Sequence, residues 1–448
     1  VVGKPEIGAV SPLSGPKGAE MTISGLLFSK ELDENQVFIN GKQVAISSSS
    51  ENQLKLIIPG GTGSGKVRVV VNDQSVEGPQ FKDQTLGIRS ISPDNGLAGT
   101  SVTLLGTGFS TNAAENRVYF NGVLAPVTGA SENKLVIEAP QGVATGEVKV
   151  IVGGQDALAP QPFRRAGVMT FVGGPGSTVF GNNLAGMAID AQGNLYVADP
   201  ENKQVKKVSP TGSVSILQVD GANAVFDYPT GIVVDTQNNI YVSDQRSNQI
   251  FKITAAGKRT IHAKGFSPGA MCLDLSGNLY VAVAGFAQGI NKVNLAGGYT
   301  KVPGPSWVMA KPFVDSQGVL YYSDQNTSSN NGIEIVRPGV TRGERWVGGS
   351  DAGYQDGIGT NTYFNGIGGI TAGLNNRLIV ADNYNYAIRE VNMSTREVTT
   401  LIKGTNGYVD GTLSTARFGL IKDIVVDKDG NIYLLDVGNK AIRKLFLK

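Results

Sequence analysis

The sequence predicts an all-β chain in which two small antiparallel β-sandwiches stand in tandem ahead of a six-bladed β-propeller. Three observations lead there. The composition is rich in glycine (60 of 448 residues) and low in charge (17%) and aromatics (7%). The first 165 residues repeat with a period of 81, and the remainder repeats one short phrase six times. Many short strands joined by tight turns suit sandwiches and propellers better than helical bundles. A chain this long should divide into two to four domains, because single cores stop growing well below its size. The expected divisions are residues 1–84, 85–165 and 166–448.

In the first two divisions, sliding by 81 residues sets Ser11-Pro12 on Ser92-Pro93, Gly15 on Gly96 and Gly18 on Gly99. Asn40-Gly41 falls on Asn121-Gly122, Pro59 on Pro140 and Val67 on Val148. Between these marks lie β-rich runs such as Met21–Ile23, Val37–Ile39 and Val67–Val71. The Asn-Gly pairs are hairpin signals, because both residues tolerate positive φ. The order Pro-x-x-Gly-x-x-Gly, Val-Thr-Leu-x-Gly-x-Gly-Phe, Val-Tyr-Phe-Asn-Gly resembles the IPT/TIG immunoglobulin-like family. Residues 92–152 carry that pattern, and the first copy has Leu27 where the pattern has glycine. The resemblance implies two immunoglobulin-like sandwiches serving as spacer or adhesive modules.

From Gly186 the recurring phrase is Gly186–Asp190, Gly193–Asp199, Gln204–Val208, and it returns around Asn239, Asn278, Val319, Arg377 and Asn431. Each copy holds three strand-like runs plus a fourth, which is a propeller blade. The last copy ends at its third strand, so Val168–Val172 is expected to supply the missing outer strand and close the ring. The fifth and sixth copies align at a shift of 54, placing Tyr354 on Tyr408, Asp356 on Asp410 and Phe364 on Phe418. Hydrophobic-Asp-x-x-Gly-Asn-Ile/Leu-Tyr-Val-Ala-Asp-x-x-Asn-x-x-Ile resembles the NHL repeat. The third copy departs with Val283 for Asp, and the fourth with Lys311-Pro312 for Gly-Ile and a polar loop from Gln325 to Asn331. IPT/TIG modules followed by an NHL propeller resemble surface lipoproteins of gut Bacteroidota associated with glycan capture. That resemblance implies the outer face of the outer membrane, or secretion. It also implies a lipid anchor upstream of these residues.

Composition and motifs narrow the chemistry. A net charge of +2 with no block of like charge gives no reason to expect nucleic acid. No apolar run approaches the roughly 18 residues of a spanning helix. The chain begins at Val1 without a signal peptide and reads as a processed or trimmed fragment. One histidine, His262, rules out a multi-histidine zinc site, and the single Cys272 lies in a run that reads as a buried strand. Lactonase-like propellers hold a divalent cation with Glu, Asn and Asp, for which Asp190, Asp235, Asp274, Asp315 and Asp427 are candidates by count. They recur at one position before a turn, so turn hydrogen bonding explains them better than an asymmetric site. The same holds for Asp199, Asp244, Asp324, Asp382 and Asp436. Gly60–Lys66 looks phosphate-binding but lacks a following helix, and is expected to be a hairpin loop.

No cofactor, metal or catalysis is expected. Function should lie in what breaks the repeat, on the face that carries the inter-blade loops and the turns between second and third strands. Candidate ligand contacts there are Trp307, Trp346, Tyr354, Tyr363, Tyr384, Tyr386 and Tyr408. Flat aromatics among uncharged polar groups suit an oligosaccharide, because apolar sugar faces stack while hydroxyls need fixed partners. The alternatives are a protein-interaction scaffold and, less favoured, a metal-dependent lactonase-like enzyme.

Overall fold

The computed structural model describes residues 3–285, 289–305, 308, 310–323 and 331–447. Among them there is no α-helix, and the chain forms two compact units, Val1–Arg165 and Ala166–Lys448.

The first unit holds two sandwiches. In the first, Glu6–Ser11, Glu20–Leu26, Gln53–Ile57 and Ile46–Ser50 form one sheet, facing a second built on Gln74–Asp83, Gly65–Val71, Asn35–Ile39 and Lys42–Val44. Strict alternation along Gly65–Val71 buries Val67, Val69 and Val71 against Val37 and Ile39, the period-2 pattern of a half-buried strand. The second sandwich repeats this around Val102, Leu104, Val118, Phe120, Val148 and Val150. Both Asn-Gly turns adopt the positive φ that this hairpin requires, Asn40 at 53° and Asn121 at 45°. Leu27 takes φ 60° where its counterpart Gly108 takes 73°. A leucine thus occupies a left-handed position that glycine adopts without strain. One expectation is corrected. Gly60–Lys66 joins Gln53–Ile57 to Gly65–Val71, which belong to opposing sheets, so it is an inter-sheet crossover and not a hairpin. A carboxylate already sits on its backbone, since the Gly63 amide donates to Asp83 Oδ2 at 3.0 Å.

The second unit is a six-bladed propeller. Its first five blades have inner strands Met187–Ile189, Pro229–Val234, Pro268–Leu273, Phe313–Val314 and Ile367–Ala372, each followed outward by three antiparallel strands. The sixth runs Ile421–Val426, Ile432–Asp436, Ala441–Phe446, and its outer strand is Gly167–Gly173, paired antiparallel with Ala441–Phe446. Second strands such as Leu195–Asp199 and Ile240–Asp244 are buried throughout, because each lies between two neighbouring blades.

Turn chemistry explains the recurrent carboxylates. Asp190 Oδ1 accepts from the Gln192 and Asn194 amides, and Asp235, Asp274, Asp315 and Asp427 repeat the arrangement. At the end of the second strand, Asp199, Asp244, Asp382 and Asp436 each accept an amide from the loop that enters their own blade. Asp324 lies outside the described residues.

Candidate functional site

The inner strands converge at one position, four residues before the turn aspartate, or in blade 5 its counterpart Gly373: Gly186, Gly231, Ala270, Lys311, Gly369 and Asp423. Crowding dictates the small residues. A Cβ on Gly186 would lie 2.4 Å from the Thr230 carbonyl oxygen, and one on Gly231 2.4 Å from that of Gly269. The two exceptions pair with each other, Lys311 Nζ standing 3.5 Å from Asp423 Oδ1 with both side chains largely buried. Lys311 Nζ also donates to the Met187 carbonyl at 2.9 Å, and the Met187 amide donates to Asp423 Oδ2 at 2.8 Å. Blades 1 and 4 are opposite in a ring of six, so the lysine crosses the central channel. Burial pushes the Asp423 carboxyl above the usual range, and the Lys311 ammonium pulls against that shift.

One residue nearer the inter-blade loops, the channel opens into a cavity of about 510 Å³. Apolar groups of Leu184, Ala185, Ala270, Ala282, Val283 and Val308 line it, with polar groups from Asn183, Tyr228, Thr230, Gln245 and Lys422. Its volume and its few polar groups on an apolar wall are those of a small-ligand site. Asn183 Nδ2 donates to the Tyr228 hydroxyl at 2.7 Å, and the Arg246 guanidinium lies 4.6 Å over the same ring. Thr230 and Ser243 hydroxyls are 2.9 Å apart.

The IPT/TIG domain matches over residues 5–84 and 86–164, and the NHL repeat over residues 226–253. The chain carries two IPT/TIG domains and an NHL repeat. The NHL match covers the first three strands of blade 2 and includes Tyr228, Thr230 and Gln245 of the cavity wall. Among solved structures, an auxiliary nutrient binding protein from Bacteroides thetaiotaomicron VPI-5482 is similar at 18% identity. It covers 81% of this chain and 98% of its own, with a TM-score of 0.57. Another from Bacteroides ovatus ATCC 8483 is 20% identical, covers 80% of this chain and 97% of its own, and gives a TM-score of 0.56. At these identities the likeness is one of fold. Two curated relatives are Protein SUPPRESSOR OF QUENCHING 1, chloroplastic, of Arabidopsis thaliana (23% identical over 59% of this chain) and Fibrocystin-L of Homo sapiens (30% over 25%). The chain spans only 25% and 3% of their respective lengths.

Around the NHL propeller the expected aromatics are dispersed, and none of those described lines the cavity. Trp307 lies outside the described residues. Trp346 is buried in the core between blades 4 and 5, its ring 4.9 Å edge-on from Tyr321, so it offers no ring to a ligand. Tyr354 and Tyr408 belong to the two repeated inserts and cover buried arginines, Arg389 at 4.9 Å and Arg443 at 4.8 Å. Their hydroxyls are held by Thr400 and Thr170 on outer strands, which places them at the rim. Tyr363 is half-buried over Gly349 and Gly353. Tyr386 is half-buried against the core between blades 5 and 6, while Tyr384 stands 60% exposed in the turn between second and third strands. Among the described candidates Tyr384 is the most exposed, ahead of Tyr354 and Tyr408.

Other reactive groups are spent or shielded. Burial raises the Cys272 thiol to about 12, and burial lowers the His262 imidazole, which sits edge-on to Tyr241. No cluster of three or more His, Cys, Asp or Glu able to hold a metal occurs among the described residues.

Proposed function

We propose that this chain is a non-catalytic binding protein of the cell surface that captures an oligosaccharide at the mouth of the propeller channel. The IPT/TIG sandwiches serve it as a spacer. The observation that carries the reading is the cavity itself: an apolar wall of Ala, Val and Leu side chains beside the Tyr228 ring, with Thr230, Gln245 and Asn183 as fixed polar partners. That combination suits a pyranose, which has an apolar face and a rim of hydroxyls. The channel aspartate, Asp423, is already engaged by Lys311 and two amides, so that carboxylate is not free to act as a base or hold a cation. Nutrient capture, the role named for the two Bacteroides proteins of the same fold, fits a site of this kind. A surface location accords with that role. No helix among the described residues is long and apolar enough to cross a membrane.

Affinity should be modest, roughly micromolar to millimolar, since one or two stacked rings bury little area and ordering the ligand offsets part of the gain. Calorimetric titration against a panel of plant and host oligosaccharides tests the reading. Tyr228→Ala and Gln245→Ala should each weaken binding about tenfold, or 1.4 kcal/mol. Tyr384→Ala, farther from the cavity, should weaken it less. Absence of binding by every oligosaccharide, or binding untouched by the two cavity variants, removes this proposal.

A further inference from the structure

We infer that the ligand of the channel mouth is an acidic oligosaccharide whose carboxylate pairs with Lys422. The inference rests on the oligosaccharide reading above and adds the charge of the sugar.

The argument begins with repetition. Five residues before the turn aspartate, or before Gly373 in blade 5, the chain carries Ala185, Thr230, Gly269, Ala310, Gly368 and Lys422. Five of these six are small and uncharged, and in blade 5 a Cβ on Gly368 would lie 2.2 Å from the Ile421 carbonyl oxygen. The fold therefore has no use for a long cation at this level, yet blade 6 places one in the cavity wall. Among the described residues Lys422 is the only charged one lining the cavity. It is half-buried, and among the described residues no hydrogen bond or ion pair engages its ammonium.

Carboxylates on the segments that surround the cavity residues have partners of their own. Asp423, its neighbour in sequence, is held by Lys311 and by the Met187 and Ile424 amides. Asp227 pairs with Lys203 at 3.4 Å, Glu201 binds the Asn182 side chain at 2.9 Å, and Asp244 accepts the Asp227 and Tyr228 amides. A second cation adds to the positive field, since Arg246 stacks on Tyr228 and, among the described residues, has no carboxylate partner. An ammonium in an apolar wall gains more from an anion than one in water does, because the local dielectric is lower and the hydrogen bond is charge-assisted. A uronate ring meets these demands together. Its apolar face lies on the alanine and valine wall, its hydroxyls meet Gln245 and Thr230, and its carboxylate meets Lys422.

The test uses the full chain with trigalacturonate and trimannuronate, each as free acid and as methyl ester, titrated calorimetrically. The acid form of at least one should bind about tenfold tighter than its ester. Added sodium chloride should narrow that gap through screening. Lys422→Gln should erase the difference between acid and ester, and Lys422→Arg should retain it. Retained melting temperatures identify variants that fold. Equal binding of acid and ester overturns the inference while leaving oligosaccharide binding intact, as does an acid preference that survives in Lys422→Gln. If neutral oligosaccharides and acids alike fail to bind, the parent reading falls and takes this inference with it.

Discussion

Lys311 and Asp423 do at the channel what glycine does in most of the other blades, filling the narrow ring where inner strands meet. The lysine needs its full length to reach the Met187 carbonyl on the opposite blade, and only a buried carboxylate beside it makes the charge tolerable. A pair of this kind adds little net stability when intact, but removing one partner strands a charge. Lys311→Met should therefore cost about 3–5 kcal/mol at neutral pH. Asp423 in that variant has its folded pKa raised further above the unfolded value, by burial without the compensating ammonium. The loss should be relieved as pH falls below the unfolded carboxylate value near 3.9 and grow as pH rises through the folded one. Lys311→Met with Asp423→Asn should recover most of it, because asparagine still accepts the Met187 amide without a charge. Urea denaturation of wild type and both variants at pH 4 and pH 7 measures this; a single variant as stable as wild type at pH 7 refutes it.

At the scale of elements, the two inserts between blades 4 and 5 and between blades 5 and 6 are the most ordered departures from a plain propeller. Each begins with a tyrosine, turns through a short hairpin, and ends with Phe364 or Phe418, both fully buried. Burying such a ring contributes about 1.5–3 kcal/mol. An arginine on the third strand then binds the insert to the blade. Arg389, with no exposed surface, donates to Asp382 at 2.7 Å, Asp356 at 2.6 Å, and the Gln355 and Tyr363 carbonyls. Arg443 repeats this with Asp410, Asp436 and the Val409 and Arg417 carbonyls. Arg389→Met should destabilise the propeller by about 3 kcal/mol or more, since Asp382 is left buried and unpaired. Arg389→Lys should not rescue it, because an ammonium cannot fork to two carboxylates and two carbonyls. Thermal melts combined with limited proteolysis around Gly357 check both statements, and a lysine variant melting with wild type contradicts the second.

Closure belongs to the whole molecule. Gly167–Gly173 lies some 270 residues from its partner strand, and Val168 and Val172 are buried in the cores that flank blade 6. We propose residues 166–448 as an independent folding unit. Removing residues 1–165 should leave a cooperative propeller, whereas removing 1–175 takes away the outer strand and exposes an edge. The shorter fragment should melt lower, on the order of 10 °C. Equal melting temperatures for the two fragments exclude this role for the strand.

Local chemistry carried the architecture into the sequence. Alternating burial, Asn-Gly turns and an aspartate before the first turn of five of the six blades act within a few residues of themselves, so their repetition spells out sandwiches and blades. Even the strain at Leu27 is visible as a leucine standing where the 81-residue register sets a glycine. The candidate site was far less legible. Lys311 stands out as an interruption of the repeat, but its partner Met187 is 124 residues away, and Met187 and Asp423 are 236 apart. Lys422 could have been found by comparing one inner-strand position across the six blades, where it alone is charged. Trp346 aligns with Thr400 beside a strand residue and so reads as partly core, but only the structure shows that it is enclosed by residues of both blade 4 and blade 5 while Tyr384 stands exposed. Ring closure decides such differences, because it brings into contact side chains that belong to different blades, and no local pattern encodes which of them will face the channel.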